Sequence, residues 1–360
     1  MIDKLKGSVS KVSAVKCSSY KSKKVENAVR EALELIDFEI KPRSKVLLKP
    51  NVVGVFPKSQ LEATTNPLVV EAVCKILKEK NCKIFIGDSP FTNAANSFKA
   101  AGLDKIAKKY GKLIIFEQNK LIDVKNKNAK YLKKFQIAKI VKDVDLVINM
   151  PKLKTHKLAK YTGAIKNLYG LIPGGMKQRL HLRAKGDKDF SELLIDIYQK
   201  VQPELNIMDG VIGMEGEGPT SGDAVKVGLI LASKNSVALD IACSKMIGLN
   251  PKKVFAIKEA VKRKLYPNFK FELVGEKLPK LKFKKPSGGS GKTQKLMDRI
   301  FKEKPIVCDT KKCVKCRLCE KHCPAKAITM EPYPIINAKK CIRCYCCIEI
   351  CPQDALSLKK

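Results

Sequence analysis

Val144-Asp145-Leu146-Val147-Ile148-Asn149-Met150-Pro151-Lys152-Leu153-Lys154-Thr155-His156 is the stretch on which the reading of the fold turns. Its first seven residues are largely apolar and strand-sized, and they do not alternate with polar ones. A strand of that kind is covered on both faces, as in a parallel sheet packed between helices. Pro151 then withholds a ladder donor, and a polar tail with two lysines and a histidine follows.

Further strands are read on both sides of this stretch, several of them continuously apolar, while Val9–Cys17 alternates. Strands are expected at Val9–Cys17, Lys45–Val53, Cys82–Gly87, Lys112–Glu117, Leu205–Met208 and Val225–Ala232. Helices are expected at Ser22–Ile36, Pro67–Lys80, Ser97–Tyr110, Phe190–Val201, Val237–Ile247 and Lys252–Lys264. In the first helix Val25, Val29, Leu33 and Ile36 share one face, and the second opens on a proline at its first turn. Strands alternating with helices give the expected fold class: α/β, with a doubly wound, largely parallel sheet. Phe269–Lys285 is expected to add one or two edge strands.

Ligands of such sheets sit beyond the carboxyl ends of the strands. Four strand exits carry polar chemistry here: Lys49-Pro50-Asn51, Asp88-Ser89-Pro90, Pro151 to His156, and Asp209-Gly210 leading to Glu215. If the chain stays extended past Pro151, then Lys152, Lys154 and His156 point to one side. Thr162 to Gly170 adds Lys166 and Asn167. The expected site takes a carboxylate or phosphate, with Lys152 and His156 as catalytic proton donors. Lys49, Asn51, Asp88, Lys154, Lys166, Asn167 and Glu215 are its expected binding residues. Glu215, Glu217 and Asp223 pair with these cations or hold a hydrated metal, pairing being the preferred reading.

Cysteine spacing defines a second unit. Ten of the 14 cysteines follow residue 300. Cys313-x2-Cys316-x2-Cys319-x3-Cys323-Pro324 repeats 28 residues later as Cys341-x2-Cys344-x2-Cys347-x3-Cys351-Pro352. Three thiolates on one tight loop take three corners of a cubane, and in bacterial two-cluster proteins the fourth cysteine of each run serves the other cluster. Two 4Fe-4S clusters are therefore expected. One is held by Cys313, Cys316, Cys319 and Cys351, the other by Cys341, Cys344, Cys347 and Cys323. Cys346 leaves a ligand alternative beside Cys347. Cys17, Cys74, Cys82, Cys243 and Cys308 read as small core residues. The segment resembles the bacterial-type two-cluster ferredoxins, an α+β iron–sulfur fold.

The 360 residues divide accordingly. The expected units are a large α/β domain over 1–278, a basic Gly/Ser/Lys linker over 279–304 and the iron–sulfur domain over 305–360. Gly288 to Thr293 mimics the end of a phosphate-binding loop, but the full pattern needs glycine where Pro286 stands. The formal charge is +37, from 72 Lys+Arg against 35 Asp+Glu. Only eight of the cations are arginine and there is no tryptophan. That composition argues against nucleic-acid readout and leaves a positive field that steers anions and acidic proteins. No apolar run is long enough for a membrane-spanning helix, and Met1–Lys11 has no secretory pattern. A cytoplasmic protein is expected.

Lys49-Pro50-Asn51, Thr65-Asn66-Pro67, Gly87-Asp88-Ser89, Pro151 to His156, Gly163-x2-Lys166-Asn167-x2-Gly170 and Glu215-Gly216-x-Gly218-Pro219 together resemble the signatures of the family of domains of unknown function numbered 362. Such domains are often followed by a two-cluster ferredoxin segment. The resemblance implies an architecture and a candidate site, and it names no substrate. Three functions are compatible with these residues. The first is a ferredoxin-coupled oxidoreductase acting on a small anion. The second is a non-catalytic carrier or scaffold passing electrons to a redox partner protein, and the third is a cluster-bearing nucleic-acid protein. No G-x-G-x-x-G fingerprint for flavin or nicotinamide follows a strand.

Overall fold

A computed structural model describes residues 9–54, 62–90, 93–184, 186–286, 305–342 and 344–358. The Gly/Ser stretch of the expected linker and the phosphate-loop mimic within it lie outside the described residues.

The large domain is α/β and carries twelve strands among the described residues: β1 Lys11–Lys16, β2 Lys45–Pro50, β3 Lys83–Asp88, β4 Lys112–Ile115, β5 Leu121–Lys125, β6 Lys134–Ala138, β7 Leu146–Met150, β8 Lys152–His156, β9 Lys160–Thr162, β10 Leu205–Glu215, β11 Asp223–Ser233 and β12 Glu272–Gly275. The main sheet runs β12-β1-β11-β10-β7-β2-β3-β4. It is mixed and mostly parallel, since β10-β7, β7-β2, β2-β3 and β3-β4 pair parallel while β11 is antiparallel to both β1 and β10. Successive residues of the apolar strands enter different cores. Val46, Leu48, Ile84, Ile86 and Ile148 pack with the helices Ser22–Leu35 and Pro67–Glu79. Leu47, Phe85 and Val147 face the other way, with Asp187–Tyr198 and Ser236–Met246. Apolar burial on both faces is the reason these strands do not alternate.

Local chemistry sets several boundaries. The Asn66 side chain caps Pro67–Glu79 by accepting from Leu68 N at 3.0 Å, with proline at the first helical position. The helix expected over Ser97–Tyr110 is two helices, Ala94–Ala100 and Leu103–Tyr110. The β5–β6 hairpin and the helix Gly174–Arg183 were not foreseen, because neither carries a strong apolar period. β10 continues seven residues past its expected end at Met208. Of the edge strands expected in Phe269–Lys285, β12 forms, parallel to β1. The start of the expected linker is docked, since Phe283 is buried in the core and Leu281 N and Phe283 N donate to Met246 and Ile247 carbonyls.

The smaller C-terminal region has two antiparallel ladders, β13 Ile306–Cys308 with β16 Leu356–Leu358 and β14 Ile328–Met330 with β15 Pro334–Ile336. Its 28-residue repeat reaches the backbone. Arg317 and Tyr345 share a left-handed conformation at φ 59° and 61°, as do Lys326 and Asp354 at 48° and 49°. No helix among the described residues is long and apolar enough to cross a membrane.

Candidate functional site

β2, β3 and β7 end side by side, with Lys49 opposite Asn149 and Pro50 opposite Met150. Past Pro151 the chain does stay extended. β8 continues alongside β10, with Asp209 opposite Lys152 and Met214 opposite Lys154, then turns back as β9. A cavity of about 480 Å³ opens at these exits, lined by Asn51, Asp88, Ser89, Lys154, Thr162, Lys166, Asn167, Tyr169, Gly170, Lys177 and Pro219, among others.

Three lysines border it. Lys154 Nζ donates to the Ala63 carbonyl at 2.6 Å, and Lys177 Nζ donates to the Ser89 carbonyl. Lys166 Nζ stands 5.7 Å from the Phe190 ring centre, and that ring stacks on His181 at 4.9 Å. Burial lowers Lys177 to about 8, although Asp88 pulls the other way. The one carboxylate among these lining residues is already engaged. Asp88 Oδ1 accepts from buried Lys49 Nζ at 2.9 Å and from Ser89 N at 2.8 Å, and its Oδ2 accepts from Val52 N at 2.9 Å. The cavity is therefore cationic on balance. Two hydroxyls also lack partners among the described residues: Ser89 Oγ and Thr162 Oγ1, both on residues 2 % exposed. A buried hydroxyl without a hydrogen bond is costly, so these two atoms are free to take a partner from the cavity, water or a polar ligand.

The frame behind the cavity is polar and fully paired. Asn167 Nδ2 donates to Asn149 Oδ1 at 2.7 Å, and Asn149 Nδ2 donates to Asn206 Oδ1 at 2.9 Å. Asp240 accepts from Ala164 N at 2.6 Å and Ile165 N at 3.0 Å, fixing the short helix that carries Lys166 and Asn167. Burial raises Asp240 to about 7. Two glycines permit the close approaches. A Cβ on Gly163 would stand 2.1 Å from Asp240 Oδ1, and one on Gly170 would stand 2.1 Å from Asp88 Oδ1 and 2.5 Å from Lys49 Nζ.

Of the residues expected from sequence, Asn51, Asp88, Lys154, Lys166 and Asn167 meet at the cavity. The others take different places. Lys49 lies behind Asp88 with its side chain fully buried. Lys152 faces Asp209, at 2.9 Å, and Tyr20, whose hydroxyl is 2.7 Å from Nζ. His156 is fully buried. Its Nδ1 accepts from Leu158 N and Ala159 N at 3.1 Å, and burial followed by the Lys166 and Lys154 charges holds it well below the ordinary histidine range. Glu215 accepts from Lys284 N at 2.9 Å, Glu217 pairs with Lys157 at 3.1 Å, and Asp223 pairs with Lys284 at 3.0 Å. The acidic residues thus pair with cations other than those expected. Lys177, Thr162 and Tyr169 were not foreseen. Lys177 sits on a weakly patterned helix in a lysine-rich chain, and nothing in its spacing singles it out.

The cysteines surround two further cavities. Cys313, Cys316, Cys319 and Cys351 line one of about 340 Å³, and Cys323, Cys341, Cys344 and Cys347 line another of about 310 Å³. Burial, together with the other thiols of its own group, pushes Cys319 up to about 11 and Cys347 well above the ordinary range. Thiols raised in this way ionise beside a cationic centre, which is what a cluster's iron supplies, and an all-cysteine donor set fits an iron–sulfur group. Cys323 Sγ accepts from Ala327 N at 3.2 Å and Cys351 Sγ from Ala355 N at 3.3 Å, again 28 residues apart. Cys346 is buried and lines neither cavity. Cys17, Cys74, Cys82 and Cys243 are buried, but Cys308 is half-buried and lies against Cys313.

Comparison with known proteins finds two family models on this chain. A domain of unknown function (DUF362) matches residues 46–245, and a 4Fe-4S binding domain matches 309–329 and 334–357. A thylakoid-associated protein of Synechocystis sp. is 34 % identical over 255 residues, covering 68 % of this chain and 76 % of that one. The lactate racemase apoprotein of Thermoanaerobacterium thermosaccharolyticum aligns at TM-score 0.42 and 14 % identity, over 68 % of this chain and 58 % of that one. A likeness at that level carries no argument about function.

Proposed function

The chain belongs to the DUF362 family and carries a 4Fe-4S binding domain, and on that premise we propose that it is a ferredoxin-coupled oxidoreductase acting on a small anion. The observation that carries the reading is the pair of buried hydroxyls, Ser89 Oγ and Thr162 Oγ1, without partners among the described residues, in a cavity bordered by Lys154, Lys166 and Lys177. Hydroxyl donors and ammonium groups together suit a carboxylate or a phosphate.

Two clusters, in the cross-paired sets Cys313, Cys316, Cys319, Cys351 and Cys341, Cys344, Cys347, Cys323, would supply single electrons. Asp354 follows Cys351 by three residues and accepts a hydrogen bond from Ser221 Oγ, and Pro219 lines the anion cavity. That continuity supports the first set as the one nearer the substrate. Lys154 and Lys177 bind the anion's oxygens. Lys177, with its lowered proton affinity, hands over a proton as negative charge develops. Asp88 and Lys49 hold the loop that presents Ser89. His156 and Lys152 are positioning residues in this reading. His156 fixes the β8–β9 turn as a neutral acceptor, and Lys152 ties the exit of β8 to Asp209. A redox partner protein delivers the electrons, and the reducing cytoplasm that keeps such thiolates free is the proposed location.

The test is substrate-dependent reoxidation. The protein is purified without oxygen and reduced, and its visible absorbance is followed while fractionated metabolites are added. Reoxidation by one fraction, lost in Lys177→Met and Ser89→Ala with the absorbance otherwise intact, supports the enzyme. Electron exchange with proteins alone leaves a carrier and removes the catalytic reading.

A further inference from the structure

Among the described residues four large apolar side chains are exposed, and three belong to the iron–sulfur domain: Val314 at 60 %, Ile335 at 50 % and Ile342 at 41 %. Val314 and Ile342 occupy the same position of the repeat, one residue after the first cysteine of each run, and each follows a Lys-Lys-Cys triplet. Around Val314 stand Lys311, Lys312 and Lys315, all exposed. Among the described residues none of the three is in an ion pair, and Lys315 Nζ lies 4.9 Å from the Tyr333 ring centre. Arg317 spends its charge on Glu320 at 2.8 Å. Cys316, which borders the first cysteine cavity, is itself exposed in the middle of this patch.

An exposed apolar residue ringed by exposed cations, with a cysteine of the expected cluster at its centre, has the anatomy of a small transient interface. We propose that the 311–316 loop is the docking site for a small acidic electron-carrier protein, which meets the first cluster edge-on at Cys316. The partner's chemistry follows from complementarity. Its rim is carboxylate, to match Lys311, Lys312 and Lys315, and its centre offers an apolar contact for Val314. The positive ring chiefly raises the association rate. One electron passes from the reduced carrier to the oxidised cluster per encounter, so the carrier is oxidised and the cluster reduced. The inference rests on the cluster reading above.

Stopped-flow reduction of the anaerobic holoprotein by a reduced, net-negative ferredoxin tests it, with dithionite as the small-molecule control. Lys311→Glu with Lys312→Glu is expected to slow reduction by the ferredoxin tenfold or more at low ionic strength and to flatten its salt dependence, while reduction by dithionite is unchanged. Val314→Ser is expected to slow it without changing the salt slope. Lys258→Glu with Lys262→Glu, an equal charge change on the large domain, is expected to have little effect. Equal slowing by that distant pair, or slowing confined to Lys339→Glu with Lys340→Glu on the repeat's other loop, overturns the assignment. Absence of bleaching by dithionite overturns the cluster reading and this proposal together, whereas dithionite bleaching with carrier rates indifferent to Lys311 and Lys312 overturns the docking site alone.

Discussion

Asp88→Asn isolates the pair on which the anion cavity is built. Lys49 has no exposed side-chain surface, and apart from the Pro50 carbonyl at 3.1 Å its ammonium has Asp88 as its partner, at 2.9 Å. Burial already lowers the Lys49 proton affinity against Asp88's pull. Removing the carboxylate charge leaves a desolvated ammonium unpaired, a loss of about 3–5 kcal/mol. The amide also turns an NH₂ toward either Val52 N or Ser89 N, so one more buried donor goes unmet. In a domain of this size about 1 kcal/mol moves the melting temperature by roughly 2–4 °C, so a fall of about 10 °C is expected. Lys49→Met removes the charge together with its need for a partner and costs less. The double variant Lys49→Met with Asp88→Asn is expected to be no worse than Asp88→Asn alone. Far-UV circular dichroism melts of the holoprotein read all three. An Asp88→Asn melt within about 2 °C of the parent, or losses that add in the double variant, would refute the coupling.

Three further outcomes follow from the same geometry. Gly170→Ala forces a methyl between Asp88 Oδ1 and Lys49 Nζ, so anion affinity and melting temperature are both expected to fall, checked by calorimetric titration with sulfate and by the same melts. Sulfate keeps its charge between pH 7 and 9, so its affinity is expected to weaken several-fold as Lys177 loses its proton above about 8. Lys177→Met should bind weakly and without that slope. Burial, with Lys166 and Lys177 nearby, lowers His181 to about 3. The unfolded chain therefore takes up a proton below about 6.5 that the folded one refuses, and stability is lost as pH falls from there. At pH 5 that loss is about 2 kcal/mol from this residue. Relative to the parent, His181→Gln should lose less between pH 7 and pH 5 in melting experiments.

Much of this protein is local and therefore legible in its sequence. The cysteine runs are short-range geometry, because a tight loop can present three thiolates only at such spacing. In the folded chain the fourth cysteine of each run lines the cavity of the other run's first three. Strand placement was legible because a strand buried on both faces carries an unbroken apolar run, as residues 46–48 of β2, 84–86 of β3 and 146–148 of β7 do. Asn51, Asp88, Lys154, Lys166 and Asn167 were legible as one group because ligands of such sheets sit beyond strand ends, and these five line the cavity.

Tertiary structure decided which cations face the cavity and which are spent elsewhere. Lys152, Lys154 and His156 alternate along β8, yet their roles diverge with their neighbours: Asp209 and Tyr20 for the first, the Ala63 carbonyl for the second, nearby backbone amides for the third. Lys177 enters from a helix with no marked pattern, and Glu215 leaves to meet Lys284 from a segment nearly seventy residues on. A lysine's spacing says on which face of its element it lies. Whether its charge is answered by a carboxylate, a carbonyl or an incoming anion depends on what packs against that face, which only the folded chain determines.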